Sequence, residues 1–229
     1  MKPRFRRAVL LALAFVLAAP LGALLCLRVL PVPVTPLMLI RWAEGYGLDH
    51  RRVPYGRIAP ALAQAVIASE DNLFCEEKLG FDFGAIAGQV AALRDGERPR
   101  GASTITMQTA KNLFLWPGRD PVRKLAEAWL TPQLALLWPK QRVMEAYLNI
   151  VEFGPGIYGA EAAAQRFFRR SAAQLTRDQA VRLAVILPNP LHWSADHPGP
   201  WVRQRTALIE RRMQELGPLL DCVKSPSAG

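Results

Sequence analysis

Cysteine is scarce in this chain, with three among 229 residues. That is too few, and an odd number, for a disulfide scaffold. Histidine is as sparse, at His50, His192 and His197, and neither C-x-x-C nor H-E-x-x-H occurs, so no metal centre is expected. No stretch of more than a few residues alternates like a half-buried strand, and there is no internal repeat or low-complexity tract. Acidic residues are outnumbered, 19 against 29 Lys+Arg, for a net charge of +10. Apolar residues are plentiful at 51%, which excludes a disordered chain. The length suits one domain. The basic excess predicts anionic partners. Nucleic acid is excluded because no recognition motif interleaves with the positive residues, so anionic headgroups or a phosphorylated lipid fit better.

The apolar residues concentrate at the start. Residues 1–7 carry Lys2, Arg4, Arg6 and Arg7, and the next charge after Arg7 is Arg28. Twenty uncharged residues span about 30 Å as a helix, one bilayer core. The expectation is a single-pass anchor over 8–28 with a cytoplasmic N-terminus. A cleaved signal peptide competes, but its apolar region is usually shorter, about 7–15 residues, and Ala18-Ala19-Pro20 offers no good cleavage site. Pro31, Pro33 and Pro36 stiffen a linker over 29–56. A domain follows over 57–220 and a flexible tail over 221–229, with Lys224 to Gly229 expected to be disordered. Cys75 and Cys222 fall in the exported part. A bridge is compatible with that compartment, and two thiols is the simpler expectation.

Past Arg28 the chain reads as mainly helical. Ile58, Leu62, Ala65 and Val66 mark a helix ending at Glu70-Asp71. Ser103 is the expected N-cap of a helix through Phe114. Asp120-Pro121 signals another start, with a kink expected at Pro132. Pro139 opens a helix through Asn149, and Thr176 with Gln179 forms a capping box.

Two carboxylates carry the candidate chemistry. Glu70 ends an apolar helix, where burial would raise its pKa and suit it to acid or base work. A solvated helix end is the plainer alternative. Glu127 follows Arg123 by four residues, so a surface ion pair explains it equally well. Lys111, Arg119, Arg123 and Lys124 lie nearby in sequence and together can hold a pyrophosphate. Phe114-Leu115-Trp116 is either a membrane-dipping patch or a core contact.

Five blocks in order lift these residues above their separate alternatives. They are Glu70-Asp71-Asn72-Leu73-Phe74 with Gly80-Phe81-Asp82, then Gly101 through Gln108 with Lys111-Asn112, then Arg123-Lys124-Leu125-Ala126-Glu127. Next come Lys140 and Glu145-Ala146-Tyr147-Leu148-Asn149, continuing through Gly159, and finally Leu175-Thr176 to Leu187-Pro188-Asn189-Pro190. The pattern resembles the peptidoglycan glycosyltransferases, glycosyltransferase family 51, and most closely their monofunctional members. The transpeptidase motifs S-x-x-K and K-T-G of bifunctional relatives are absent.

The resemblance implies a mainly α, lysozyme-like domain at the bacterial inner membrane, facing the periplasm. It implies polymerisation of lipid II into glycan with inversion at the anomeric carbon and release of undecaprenyl pyrophosphate. Glu70 matches the general base and Glu127 the second carboxylate. Lys111, Arg119, Arg123 and Lys124 match the pyrophosphate site, and Ser103, Gln108 and Asn149 match polar positions of the sugar cleft. No cofactor is required, although a divalent cation, Mg or Mn, can assist the diphosphate. Other cell-wall synthesis and division proteins are the expected partners.

Three departures stand out. Glu77-Lys78-Leu79 lengthens the loop after the base by one residue and lacks the usual His. Met107 replaces a Gln, which is expected to remove a hydrogen-bonding group from the cleft. Gln179 replaces a frequent Glu. A glycan-cleaving muramidase and a non-catalytic adaptor on the same fold are the alternatives.

Overall fold

The computed structural model describes residues 3–97, 101–118 and 120–223. The candidate residue Arg119 and the tail from Lys224 to Gly229 lie outside the described residues. Among the described residues the architecture is mainly helical. The α-helices are α1 (Pro3–Leu27), α2 (Pro36–Ala43), α3 (Pro60–Glu70), α4 (Phe83–Arg94), α5 (Ile105–Phe114), α6 (Pro121–Leu137), α7 (Lys140–Ile150), α8 (Ala160–Phe168), α9 (Arg177–Ile186) and α10 (Pro200–Leu216).

A small sheet was not legible as alternation, because its strands are only two or three residues long. It comprises β1 (Asp49–His50), β2 (Glu152–Gly154) and β3 (Ile157–Tyr158). The order is β1-β3-β2, with β1 parallel and β2 antiparallel to β3. Gly156, in the turn between β2 and β3, has φ +70°, and a Cβ there would sit 2.2 Å from the Tyr46 carbonyl oxygen. Only glycine allows that approach.

Helix α3 is the centre of the core. Leu62, Ala63, Ala65, Val66, Ile67 and Ala68 are all buried, so the helix is apolar on every side. It packs chiefly against α9 and α10, while α5 packs against α6 and α7. The first of these groups carries Glu70 on its central helix. The second carries Gln108, Lys111, Arg123 and Glu127.

Local rules account for most helix starts. Asp120 caps α6 through the Arg123 N–H at 2.8 Å, with Pro121 in its first turn. Thr176 and Gln179 form the expected capping box of α9. Helix α6 continues through Pro132, and the Thr131 hydroxyl donates to the Glu127 carbonyl one turn before.

The cap of α5 corrects the expectation by one residue. Thr104, not Ser103, accepts from the Met107 N–H at 3.1 Å. Its hydroxyl also donates to the Gly80 carbonyl at 2.7 Å. Gly80 has φ +74°, and a Cβ there would meet Thr106 Cγ2 at 2.7 Å, so the loop can lie flat on α5 only as glycine.

The cysteines are also corrected. Cys75 and Cys222 form a disulfide with Cα atoms 5.5 Å apart across a sequence separation of 147. Closing a loop of that size lowers the entropy of the unfolded chain by on the order of 5 kcal/mol at room temperature. The bridge ties the loop after Glu70 to the 3-10 segment Gly217–Val223.

Helix α1 occupies the expected anchor segment. Among the described residues, no helix is long and apolar enough to cross a membrane. Its C-terminal end docks on the domain. Leu24 is fully buried, and Trp138 donates to the Leu24 carbonyl at 2.8 Å. The Arg142 guanidinium donates to the carbonyls of Leu27 and Leu30 at 2.8 and 2.7 Å. One cation thus satisfies helix-end carbonyls that have no intrahelical donor.

Candidate active site

Glu70 ends α3 beside a cavity of about 200 Å³, lined also by Ser69, Asp82, Ser103 and Arg212. Burial pushes its carboxyl upward, against hydrogen bonds from Gln108 and Ser69 that favour the ionised form. Gln108 donates through Nε2 to Glu70 Oε2 at 3.1 Å, and its Oε1 accepts from the Tyr147 hydroxyl at 3.1 Å. The Ser103 carbonyl and the ionised Glu70 carboxylate only accept, so they take the NH2 end of the amide and leave its carbonyl to the hydroxyl of the fully buried Tyr147.

Asp71 joins the two helix groups. Its Oδ2 accepts from the Ile105 N–H at 2.9 Å, fixing the start of α5 beside the base. The longer loop that follows carries a buried acidic pair. Burial and the nearby Asp71 carboxylate raise the pKa of Glu77. Lys140 offsets the negative charge of this pair and sits 4.5 Å from the centre of the Phe74 ring. The loop is anchored on either side of Glu77 by the Cys75–Cys222 disulfide and by the Gly80 carbonyl that accepts from Thr104.

The second carboxylate has a different setting. Glu127 is 2% exposed. Arg123 donates to its Oε2 at 2.6 Å, and Lys124 Nζ to its Oε1 at 2.7 Å. Lys124 also reaches Ser103 Oγ at 3.3 Å. Because Thr104 takes the cap, Ser103 remains free for this contact. Lys111 is largely buried, which lowers its pKa, while Glu127 pulls it back upward. Lys111, Arg123, Lys124, Gln108 and Ser103 line one cleft of about 700 Å³. Ser103 lines both cavities, and Gln108 of the cation cleft bonds Glu70, so Glu70 and the cations are neighbours around the same two side chains.

The structure brings Glu70, Ser103, Gln108, Lys111, Arg123, Lys124 and Glu127 together. It does not bring Asn149. That side chain accepts from the Val53 N–H at 2.9 Å and donates to the carbonyls of Val53 and Glu145 at 3.0 and 2.8 Å. Its hydrogen-bonding capacity is spent pinning the segment before α3 onto α7. Met107 is also relocated: it is 4% exposed and lines neither cavity, so its replacement of Gln removes nothing from the cleft. In the Phe114-Leu115-Trp116 segment, Leu115 is buried and Phe114 packs on the core. Trp116 alone is well exposed, and it donates to Asp120 at 3.0 Å.

Sequence reasoning missed Tyr147 as a partner of the base and Arg41 in the cation cleft. It also missed Arg212, with Arg205 acting on Glu70 electrostatically from the same helix. The signal for α10 was present: Pro200 at the first turn, then Val202, Thr206, Ile209 and Met213 at helical spacing, all buried.

The comparisons agree with this arrangement. The family model described as Transglycosylase matches residues 39–214. A biosynthetic peptidoglycan transglycosylase of Caulobacter vibrioides is 52% identical over 223 residues, covering 96% of this chain and 97% of that protein. Proteins of the same name from Rhodospirillum centenum and Ectopseudomonas mendocina are 48% and 47% identical, covering 93% and 92% of this chain and 92% and 89% of their own lengths. With three quarters of its length inside the family model and nearly all of it aligned to these relatives, the chain belongs to the transglycosylase family.

Proposed function

We propose that this chain is a peptidoglycan glycosyltransferase that polymerises lipid II into glycan strands at the cell envelope. One observation carries the proposal. A partly buried carboxylate with a raised pKa, Glu70, adjoins through Ser103 and Gln108 a cleft where Lys111, Arg123 and Lys124 gather near a second carboxylate.

In this mechanism the 4-hydroxyl of the acceptor lipid II gives its proton to Glu70. The freed oxygen forms a bond to C1 of the growing strand's terminal sugar. The bond from C1 to the diphosphate oxygen breaks, and its electron pair leaves with undecaprenyl pyrophosphate. Attack opposite the leaving group inverts α to β. Lys111, Arg123 and Lys124 stabilise the charge on the departing diphosphate. Glu127 positions the last two of these. Gln108 and Tyr147 orient the base.

Among the described residues no three His, Cys, Asp or Glu side chains gather to hold a metal. Glu127 is already bonded to two cations, so these residues do not form a cage for Mg or Mn.

The family relationship and the uncharged run between Arg7 and Arg28 in the sequence support an inner-membrane anchor, with the domain on the periplasmic side. The polyprenyl tail of the substrate makes a tethered enzyme sensible. Cleavage of glycan by a muramidase mechanism is less well supported. It requires a second carboxylate able to face the sugar or a water, and both oxygens of Glu127 are occupied by cations.

The test is polymerisation of labelled lipid II by the full chain in detergent, resolved as a glycan ladder, wild type beside Glu70→Gln. The wild type should give a ladder. The variant should lose about 10²–10⁴ in rate while remaining folded. A variant that polymerises at near wild-type rate would remove Glu70 from its role as base.

A further inference from the structure

Glu70 is followed at once by a loop, residues 71–82, that leads into α4. Both ends of the loop face the base: Asn72 and Asp82 line the cavity of Glu70, opposite Arg212 of α10. The middle of the loop has little packing of its own. Phe74 and Glu77 are buried, but Leu73, Glu76, Lys78 and Leu79 are exposed. Two ties run from this stretch to elements distant in sequence. One is the hydrogen bond from the Thr104 hydroxyl to the Gly80 carbonyl. The other is the bond from Cys75 to Cys222.

The far end of the bridge is firmly seated. The segment Gly217–Val223 continues α10 and packs against α3 and α7. The Tyr55 hydroxyl donates to the Val223 carbonyl at its end. None of these contacts runs through the bridge. Opening the bridge therefore frees Cys75 and the exposed part of the loop, and leaves the segment of Cys222 docked. Both cysteines are partly exposed, so a thiol reagent can reach them in the folded chain.

We propose that the Cys75–Cys222 bridge is a redox latch that positions the loop wall of the Glu70 cavity, so that turnover requires it closed. This rests on the reading of Glu70 as the base. Closing the latch oxidises two thiols. A small-molecule or protein disulfide takes up their two electrons and two protons and becomes two thiols itself. Bridges persist in oxidising compartments and thiols in reducing ones, so the latch makes the enzyme competent only in an oxidising compartment.

An open latch has a signature at the base. Burial is the largest influence holding the Glu70 carboxyl above its ordinary value. The charged and titratable groups around it are Asp71 and Asp82 of the loop, Arg205 and Arg212 of α10, Lys111 of α5 and Tyr147 of α7. Only the aspartates ride on the loop, and the rest stand on packed helices. A loosened loop admits water, which brings the carboxyl back toward the ordinary Glu value. The acid limb of kcat/KM then moves to lower pH even as the rate falls.

The test uses the full chain in detergent, with Cys26→Ser so that Cys75 and Cys222 supply the only thiols. It is assayed with the bridge closed, after reduction by dithiothreitol, and after reoxidation by glutathione disulfide. Reduction should lower kcat/KM for lipid II by roughly 10- to 10²-fold, the cost of an acceptor seated about 1 Å out of place, and shift the acid limb downward. Reoxidation should restore both. Adding Cys75→Ser and Cys222→Ser should reproduce the reduced enzyme and abolish the response to either reagent. Circular dichroism at the assay temperature reads whether each form is folded. A reduced enzyme with the rate and limb of the oxidised one overturns the proposal. A slower enzyme with an unmoved limb, or a reduced chain that unfolds, overturns it too by confining the bridge to stability.

NMR titration of labelled Glu carboxyl carbons, with Glu70 identified by its loss in Glu70→Gln, reads the same shift without turnover. A Glu70 carboxyl that titrates identically in both redox forms overturns the latch. One that moves on reduction, in a chain that makes no polymer, keeps the positioning and refutes the glycosyltransferase reading alone.

Discussion

The two carboxylates of the site are held in opposite ways. Glu70 meets a neutral amide that also bonds a neutral phenol, with no cation in direct contact. Glu127 meets an Arg and a Lys at 2.6 and 2.7 Å. A carboxylate without a directly bonded cation keeps its proton affinity, which a base needs. A carboxylate bonded to two cations fixes where those cations stand. On the proposed reading, one residue type thus serves proton transfer at one end of the site and charge placement at the other. The difference lies in the partners supplied by α5 and α6.

Stability offers the sharpest way to break this comparison. Glu127→Gln leaves the buried Arg123 guanidinium without a neutralising charge and turns one of the two acceptor oxygens into a donor facing a cation. Removing one partner of a buried pair costs about 3 kcal/mol or more, which for a domain of this size lowers the melting temperature by about 10 °C. Glu70→Gln should behave oppositely. Its folded-state pKa is raised, so its contribution to stability is full below the ordinary Glu value and is lost as pH rises through the folded value. At neutral pH the amide should therefore melt at the wild-type temperature or above it. Thermal melts of both variants at pH 7 check this, and equal losses would erase the distinction between the two carboxylates.

The residues that were legible in the sequence explain why others were not. Asp120 and Thr176 act within their own helices, so short-range rules located them. Ser103 and Thr104 are both competent caps, and only the Gly80 carbonyl, brought by a distant loop, selects between them. The disulfide spans 147 residues and has no local signature. Asn149 shows a different limit. It stands in a family block together with residues near the site, yet its work is to pin a loop to α7. A motif records what the fold requires as well as what the chemistry requires. The loop around Glu77 shows how a departure is absorbed, since the Cys75 disulfide and the Gly80 carbonyl tether it on either side.

The same comparison sets the pH dependence. Glu70 must be ionised to accept a proton, and burial raises its pKa above the usual 4.5. Activity should fall as pH drops through that raised value, so the acid limb of kcat/KM lies above the ordinary Glu position. Glu70→Asp keeps a carboxylate but shortens its reach to Gln108, so it should retain residual activity with a displaced acid limb. A wild-type limb at or below 4.5 would show that the folded environment does not tune the base.

The smallest expected effect isolates the orientation of the base. In Tyr147→Phe the ring still fills the core, so packing and melting temperature should change little. What is lost is the hydrogen bond that holds the Gln108 carbonyl and thereby aims its amide at Glu70. A neutral hydrogen bond of this kind contributes about 1 kcal/mol, which corresponds to roughly a fivefold fall in kcat. A structural contact alone would leave the pH profile in place. If the amide loses its aim, the ionised base loses a donor, so the acid limb should move to higher pH as the rate falls. A slower enzyme with an unmoved limb would confine Tyr147 to packing and leave Gln108 oriented by Glu70 and the Ser103 carbonyl instead.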